Sequence, residues 1–440
     1  MSNAFGQKNG TKRSRAILDR LARFEAPEVM DHSSGFPVVI RKATGARVRD
    51  ADGNRYIDLG GFFGVAVVGH RNPAVIKAVR RQSARLLHGM GDVHPADVKA
   101  VFLQKLIAMM PAPDYRAVLS LNGSDAVDTA LKFAAAATGR PGIIAFEGSY
   151  HGLSAGPLEA TAQARFRTPF AAAMNGRGSF LPFPAADGSD MDRVLEDVRV
   201  RARDADGNMP VGALIVEPVQ GRGGIRVPPK GFLSALASIA ADEGLVLITD
   251  EVFTGVGRTG AFLAGDHEGL APDAVCIGKS LGGGIPISAC LMRGALADAV
   301  KGAQGEAVHT STFLGHPLGC AAGAAVLDEL ARKDLYGAAD RIGAYIAKRA
   351  NAWTQRFDAV RDCRGRGAMM GVELVGSEGG TAMEICAEAL RRGVILLTAG
   401  EAGNVLSFTP PLVIEDHDLA RAMDVVEECV WLVLGRGEKS

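Results

Sequence analysis

The sequence predicts an α/β protein, with a large domain on a mainly parallel sheet and a smaller α+β domain drawn from both termini. Three observations predict it. From about residue 75 to 333, short apolar runs alternate with helical patterns, as in strand–helix units whose sheet is covered on both faces. Before that stretch, residues 36–58 alternate around a turn signal, as an antiparallel hairpin does. After it, helices and strands mix without the regular repeat. The 440-residue length exceeds one simple core and agrees with two domains folded around one site.

Each element follows in order. Thr11-Lys12-Arg13-Ser14-Arg15 is basic but no apolar run follows it, so it reads as a tail into a surface helix and not as a signal peptide. Hairpin strands fall at Val38–Ile40, Val48–Asp50 and Arg55–Asp58, with Ala51-Asp52-Gly53-Asn54 as a turn. Strand-like runs come next at Ala117–Leu121, Gly142–Phe146, Ala213–Val216, Val246–Thr249 and Ala274–Ile277. Helical patterns over 124–137, 190–203 and 230–243 separate them, and a helix at about 316–331 closes the region. The last third reads as a long helix over 336–358, a strand at Met369–Leu374, a helix over 380–392, strands at Val394–Leu397 and Val405–Phe408, and a helix over 416–434. The expected division is 1–74 and 334–440 for the small domain, and 75–333 for the large one.

Composition narrows the function classes. Lysine plus arginine equals aspartate plus glutamate at 49 each, which leaves no footprint for nucleic acid or an anionic membrane. No apolar run approaches the ~20 residues of a membrane span. The six cysteines form no CxxC pair and mostly sit in apolar runs, as buried reduced thiols of a cytoplasmic protein do. No His/Cys/Asp cluster with metal-ligand spacing lies near the strand-end residue Asp250.

In open α/β sheets ligands bind at the carboxyl ends of the strands, so the residues that close the strands carry the functional signal. Lys279 stands between a buried strand and three glycines, Gly282-Gly283-Gly284. Burial lowers a lysine's pKa and frees its amine to attack a carbonyl; the alternative is a surface lysine with a buried stem. Asp250 ends another strand and needs a cation or donor, either a protonated ring nitrogen, a metal or a structural ion pair. Gly123 and Ser124 open an Ala-rich helix, where free amides suit a phosphate or an ordinary cap forms. Tyr150, beside His151, is placed either to stack on a flat ring or to line the core's rim. Gly255-Val256-Gly257-Arg258-Thr259-Gly260 matches GxGxxG, but it leads into no helix and has poor acid spacing, which argues against a dinucleotide site.

Together these blocks resemble the class III aminotransferases of the ornithine/4-aminobutyrate type. Asp250-Glu251-Val252, Gly257-Arg258-Thr259-Gly260 and Gly278-Lys279-Ser280 stand in that family's order and spacing. Gly69-His70-Arg71-Asn72-Pro73 looks like its GHxxP. Gly123-Ser124-Asp125-Ala126 is similar to its phosphate motif, Tyr150-His151-Gly152 to its stacking motif, and Thr312-Phe313-Leu314-Gly315-His316-Pro317 to TFxGNP with His for Asn. The resemblance covers nearly the whole chain. It implies a fold-type I, pyridoxal 5'-phosphate-dependent homodimer with a shared active site. Lys279 would carry the cofactor as a Schiff base and Asp250 would pair with its ring nitrogen. Val252 would pack under the ring, with Tyr150 above and His151 beside it. Gly123 and Ser124 would hold the phosphate, Thr312 would reach in from the second subunit, and Glu217 would support the site.

Three departures stand out, the first bearing on the cofactor's ring hydroxyl and the other two on the substrate. Phe253 stands where the family often has glutamine. The family's 4-aminobutyrate branch carries a carboxylate-clamping arginine where this chain has Ser407, and a glutamate where this chain has Arg222. Either the clamp has moved to Arg222 and glutamate or pyruvate still serves, or the main substrate lacks an α-carboxylate. An amine donor and a keto acceptor would exchange an amino group in ping-pong fashion. Residues 403–412 also resemble the amino-lactam racemases. A racemase would share every cofactor residue and need a second acid/base opposite Lys279, either Tyr150 or His151.

Overall fold

The computed structural model describes residues 5–7, 10–30, 37–204, 209–302, 307–375 and 380–435; the start of the expected alternating stretch, residue 36, lies outside these. Three sheets organise them. The first holds β1 (Ile40–Thr44), β2 (Arg47–Asp50) and β3 (Arg55–Asp58), with a late strand added to its edge. The second holds β4 (Arg116–Ser120), β5 (Gly142–Phe146), β6 (Gly178–Leu181), β7 (Val211–Val216), β8 (Val246–Asp250), β9 (Ala274–Ile277) and β10 (Ser288–Met292). The third holds β11 (Val360–Arg366), β12 (Met369–Leu374), β14 (Leu397–Ala399) and β15 (Val405–Phe408), while β13 (Val394–Ile395) pairs with β3 in the first.

The seven-stranded sheet runs β4-β10-β9-β8-β7-β5-β6, parallel except for β10, which pairs antiparallel with both neighbours. Side chains of successive strand residues leave on opposite faces, and both faces are apolar. Ile143, Ala213, Ile215 and Ile248 pack with Ala126, Val127 and Leu131 of helix Gly123–Thr138. Their neighbours Ile144, Leu214, Val216 and Leu247 pack with Val194, Leu236 and Ile239 of helices Met191–Arg203 and Phe232–Asp242. A sheet buried twice over directs its carboxyl edge, and the loops there, to one side of the molecule.

Several expectations need correction. The first hairpin strand is Ile40–Thr44, not Val38–Ile40, because Gly45, at φ +60°, turns the chain into β2. The expected strand Val394–Leu397 divides between two sheets. Strands β6, β10 and β11 were not anticipated, and the helix from Leu335 ends at Thr354.

The GxGxxG segment is a tight loop followed by a short 3₁₀ turn, Ala264–Glu268. At its centre Arg258 is completely buried, with burial pushing its guanidinium down to about 9. It donates to the carbonyls of Ala368 (3.2 Å), Pro410 (2.6 Å) and Gly64 (3.4 Å), tying the third sheet and the N-terminal loop to the central sheet. Replacing Arg258 by Met takes its donors from the buried Ala368 and Pro410 carbonyls and leaves Gly64 with Ser280 alone. Chemical unfolding should show a loss of about 3 kcal/mol or more, since each orphaned buried polar group costs ~1–3 kcal/mol.

Candidate active site

Five parallel strands of the central sheet end around one cavity of about 470 Å³. Beyond β4 come Asn122, Gly123 and Ser124. Tyr150 and His151 follow β5, Glu217 and Arg222 follow β7, Asp250 closes β8, and Lys279 follows β9. Of the residues expected at the site, Gly123, Ser124, Tyr150, His151, Glu217, Arg222, Asp250, Val252 and Lys279 all line this cavity.

Two do not. Ser407 lies in β15 at 6% exposure, its backbone paired between Gly371 and Leu397, and its short side chain is absent from the cavity wall. Thr312 is exposed in the loop before helix Pro317–Arg332 and does not line the cavity of its own chain.

The floor is a chain of hydrogen bonds. Asp250 Oδ2 pairs with His151 Nδ1 at 2.8 Å, and Asp250 Oδ1 accepts from the Val252 amide at 3.1 Å. His151 Nε2 is buried without a partner, so the imidazole is held from one side only. Glu217 accepts from the Tyr150 amide (3.0 Å) and the Gly221 amide (2.9 Å), which fixes the strand-end loops to each other. Burial raises the Glu217 carboxyl above its usual range, opposed by His151.

Lys279 is largely buried and forms no ion pair among the described residues. Burial pushes its amine down to about 8, against the pull of Asp250 and Glu217. Its backbone sits in the left-handed region, φ +41°, a conformation that costs about 1–3 kcal/mol and persists only where the surroundings enforce it. Arg222 places its guanidinium 5.0 Å from the Tyr150 ring and 5.3 Å from that of Phe166, and the two rings meet edge-on at 5.4 Å. Burial raises the Tyr150 phenol, and the nearby Arg222 charge opposes the rise.

At the helix start, Asn122 caps the backbone by accepting from the Asp125 amide at 3.0 Å, so the ordinary cap exists. The Gly123 and Ser124 positions nevertheless remain open to the cavity. A Cβ on Gly123 would stand 2.7 Å from Val252 Cγ1, and one on Gly152 would collide with Ser124 Oγ. Ser124 Oγ pairs with Ser154 Oγ at 2.6 Å and accepts from the Ser154 amide at 3.1 Å. Sequence reading missed Ser154, Phe166 and the cavity-lining Leu153. Only Phe253 had left a trace, as a departure from a motif.

A buried amine, a buried carboxylate with a donor partner, an aromatic wall and a helix start cradled by glycines define a pyridoxal-phosphate enzyme of fold type I. The comparisons carry this to the family. Residues 29–430 match the family model described as Aminotransferase class-III. The acetylornithine aminotransferase of Methanopyrus kandleri is 38% identical over 394 residues, covering 90% of this chain and 94% of that protein. The 4-aminobutyrate aminotransferase of Mycobacterium bovis is 35% identical, covering 89% and 90%. Among solved structures, an amine transaminase from an uncultivated Pseudomonas species, with pyridoxal phosphate bound, superposes with a TM-score of 0.86 at 28% identity, covering 93% of this chain and 99% of that one. The chain belongs to the class III aminotransferases, and its cofactor is pyridoxal 5'-phosphate.

The residues present fit that group, since the cavity offers an unpaired amine, an anchored carboxylate and a glycine-lined helix start. Gly152→Ala imposes a Cβ on the Ser124 contact at a backbone φ of +118°. It should weaken cofactor binding by about tenfold or more, ~1.4 kcal/mol, in titrations of cofactor into stripped protein.

Proposed function

We propose that this aminotransferase passes an amino group from an amine donor needing no α-carboxylate to a keto acid whose carboxylate is held by Arg222. One observation carries this reading. Arg222 points a guanidinium into the cavity that holds Lys279, while Ser407, at the family's clamp position, lies outside it. With Arg222 seated on the Tyr150–Phe166 corner, Leu153 and Phe253 offer an amine an apolar wall.

When bound, pyridoxal phosphate supplies the carbonyl carbon that accepts the amino group and a ring that takes up the electron pair left on the substrate. The chain does the rest. Gly123 and Ser124 would hold the phosphate. Asp250, braced by His151, would hold a proton on the ring nitrogen. Tyr150 and Val252 would line the two faces of the ring's slot, and Glu217 braces the Tyr150 loop. Lys279 Nζ would be the attachment point and the group that accepts the proton of the substrate's α-carbon. A base must be neutral, so the half-reaction rate should rise with pH through about 8 and level off above it, read by stopped-flow absorbance.

A second copy of the chain would complete the site. Leu86, Leu87, Met90, Val93 and Phe313 are all exposed. They belong to adjoining loops linked by the His88–Phe313 ring contact at 5.1 Å and the Thr310–Asp92 hydrogen bond at 2.8 Å. So large an exposed apolar set favours a homodimer, with Thr312 of each copy beside the partner's phosphate site. The same reading assigns 75–333 to a large cofactor domain and 1–74 with 334–440 to a small one, in a cytoplasmic enzyme. No helix among the described residues is long and apolar enough to cross a membrane.

Two measurements test the proposal. Arg222→Ala should raise KM for pyruvate by about tenfold or more, since a lost charge-assisted contact costs ~1.5–3 kcal/mol; an unchanged KM removes the clamp. Mixing holoenzyme with simple amines and no acceptor should consume the absorbance of the cofactor's aldehyde form. Racemisation would conserve that band while exchanging the α-hydrogen for solvent deuterium.

A further inference from the structure

Phe253 follows the Asp250-Glu251-Val252 strand end and lines the cavity. The Lys279 amine lies 3.8 Å from the centre of its ring. The ring is gripped along both edges. A Cβ on Gly64 would collide with its Cε2 edge, and one on Gly221 would collide with its Cδ1 edge. Both glycines are themselves tied down. The Gly64 carbonyl accepts from Ser280 Oγ at 2.7 Å and from Arg258 at 3.4 Å, and the Gly221 amide donates to Glu217 at 2.9 Å. Phe253 also packs against the buried cluster of Val219, Ile225 and Met369. Close packing at both edges favours the orientation that presents a ring face to the lysine.

We propose that Phe253 is a positioning residue for Lys279, its ring face holding the amine by a cation–π contact and favouring the protonated amine when the lysine must give its proton back. The aromatic face carries the negative end of the ring quadrupole, and the attraction strengthens where water is excluded. Other charged groups act on the same nitrogen. Asp250 and Glu217 favour its cation, and Arg222 and Arg258 oppose it. Phe253 acts with the two carboxylates, but without adding a third negative charge to a buried site. Glutamine at this position could offer the nitrogen only the oxygen of a rotatable amide.

This proposal rests on the reading of Lys279 as the cofactor-bearing lysine, and the two can fail separately. If Lys279→Ala holoenzyme keeps the visible cofactor band, that reading fails whatever Phe253 does. The contact itself is tested in full-length protein carrying Phe253→Leu, which keeps an apolar side chain and removes the ring, and Phe253→Trp, which offers a stronger face. Two readouts follow the lysine nitrogen: the pH midpoint of the holoenzyme's visible band, and the pH dependence of Lys279 acylation in cofactor-stripped protein, followed by peptide mass spectrometry. The leucine variant should lower both midpoints by about 0.5–1 pH unit, a three- to tenfold loss of proton affinity, and the tryptophan variant should hold or raise them. Midpoints that stay put or rise in the leucine variant overturn the proposal. So does an equal fall in both variants, which would mark the ring as a packing wedge alone. If the leucine variant does not fold, Phe253→Met removes the ring with a more adaptable side chain and is read the same way.

Discussion

The amine of Lys279 sits at the end of a strand in a strained backbone conformation, largely out of water, with carboxylates near it but none bonded to it. A charge in that setting is costly, so burial pushes the amine down to about 8. Much of the surrounding structure serves to keep the carboxylates from closing on it. Asp250 is occupied by His151 and the Val252 amide, and Glu217 by two loop amides. An ion pair to either would extinguish the nucleophile. The hydrogen bonds of the floor are therefore as much about what Lys279 does not touch as about the groups they join.

The parts of the fold legible in the sequence are those whose signal is local. β5, β9, β12 and β15 fall where their apolar runs end, because a buried strand between turn residues has little freedom in its limits. β10 escaped because Ser288–Met292 follows a glycine-rich turn, is buried throughout, and shows no alternation. β11 escaped for the opposite reason, since Val360–Arg366 is rich in charge and only its first residue is buried. The site was legible to the extent that strand ends converge, a rule that needs only the order of elements. Contacts made across the fold left no such trace. Ser154 meets Ser124 across 30 residues, and Phe166 meets Arg222 only through the shape of the loops.

Positions 222 and 407 have opposite settings in the structure, one on the cavity wall and one inside a sheet. A guanidinium at 222 needs neutral, polarisable neighbours if no carboxylate covers it, and it finds two aromatic rings set at 67° to each other. The serine at 407 asks for nothing and is sealed within the third sheet. The cavity therefore carries a positive charge on the loop after β7, seated against two aromatic rings.

Arg258 bears on the order in which the molecule comes into being. Its three carbonyl partners lie 194, 110 and 152 residues away along the chain, at Gly64, Ala368 and Pro410. Contacts so distant demand that large loops close before any of them is rewarded, which slows folding. Gly64, whose carbonyl this arginine shares with Ser280, also grips the ring against Lys279. During synthesis the central sheet can form soon after β10 emerges, but the arginine that locks the loop over its lysine must wait until Pro410 has left the ribosome. Until then the pocket lacks the contacts that close it, the kind of transiently exposed surface on which aggregation depends.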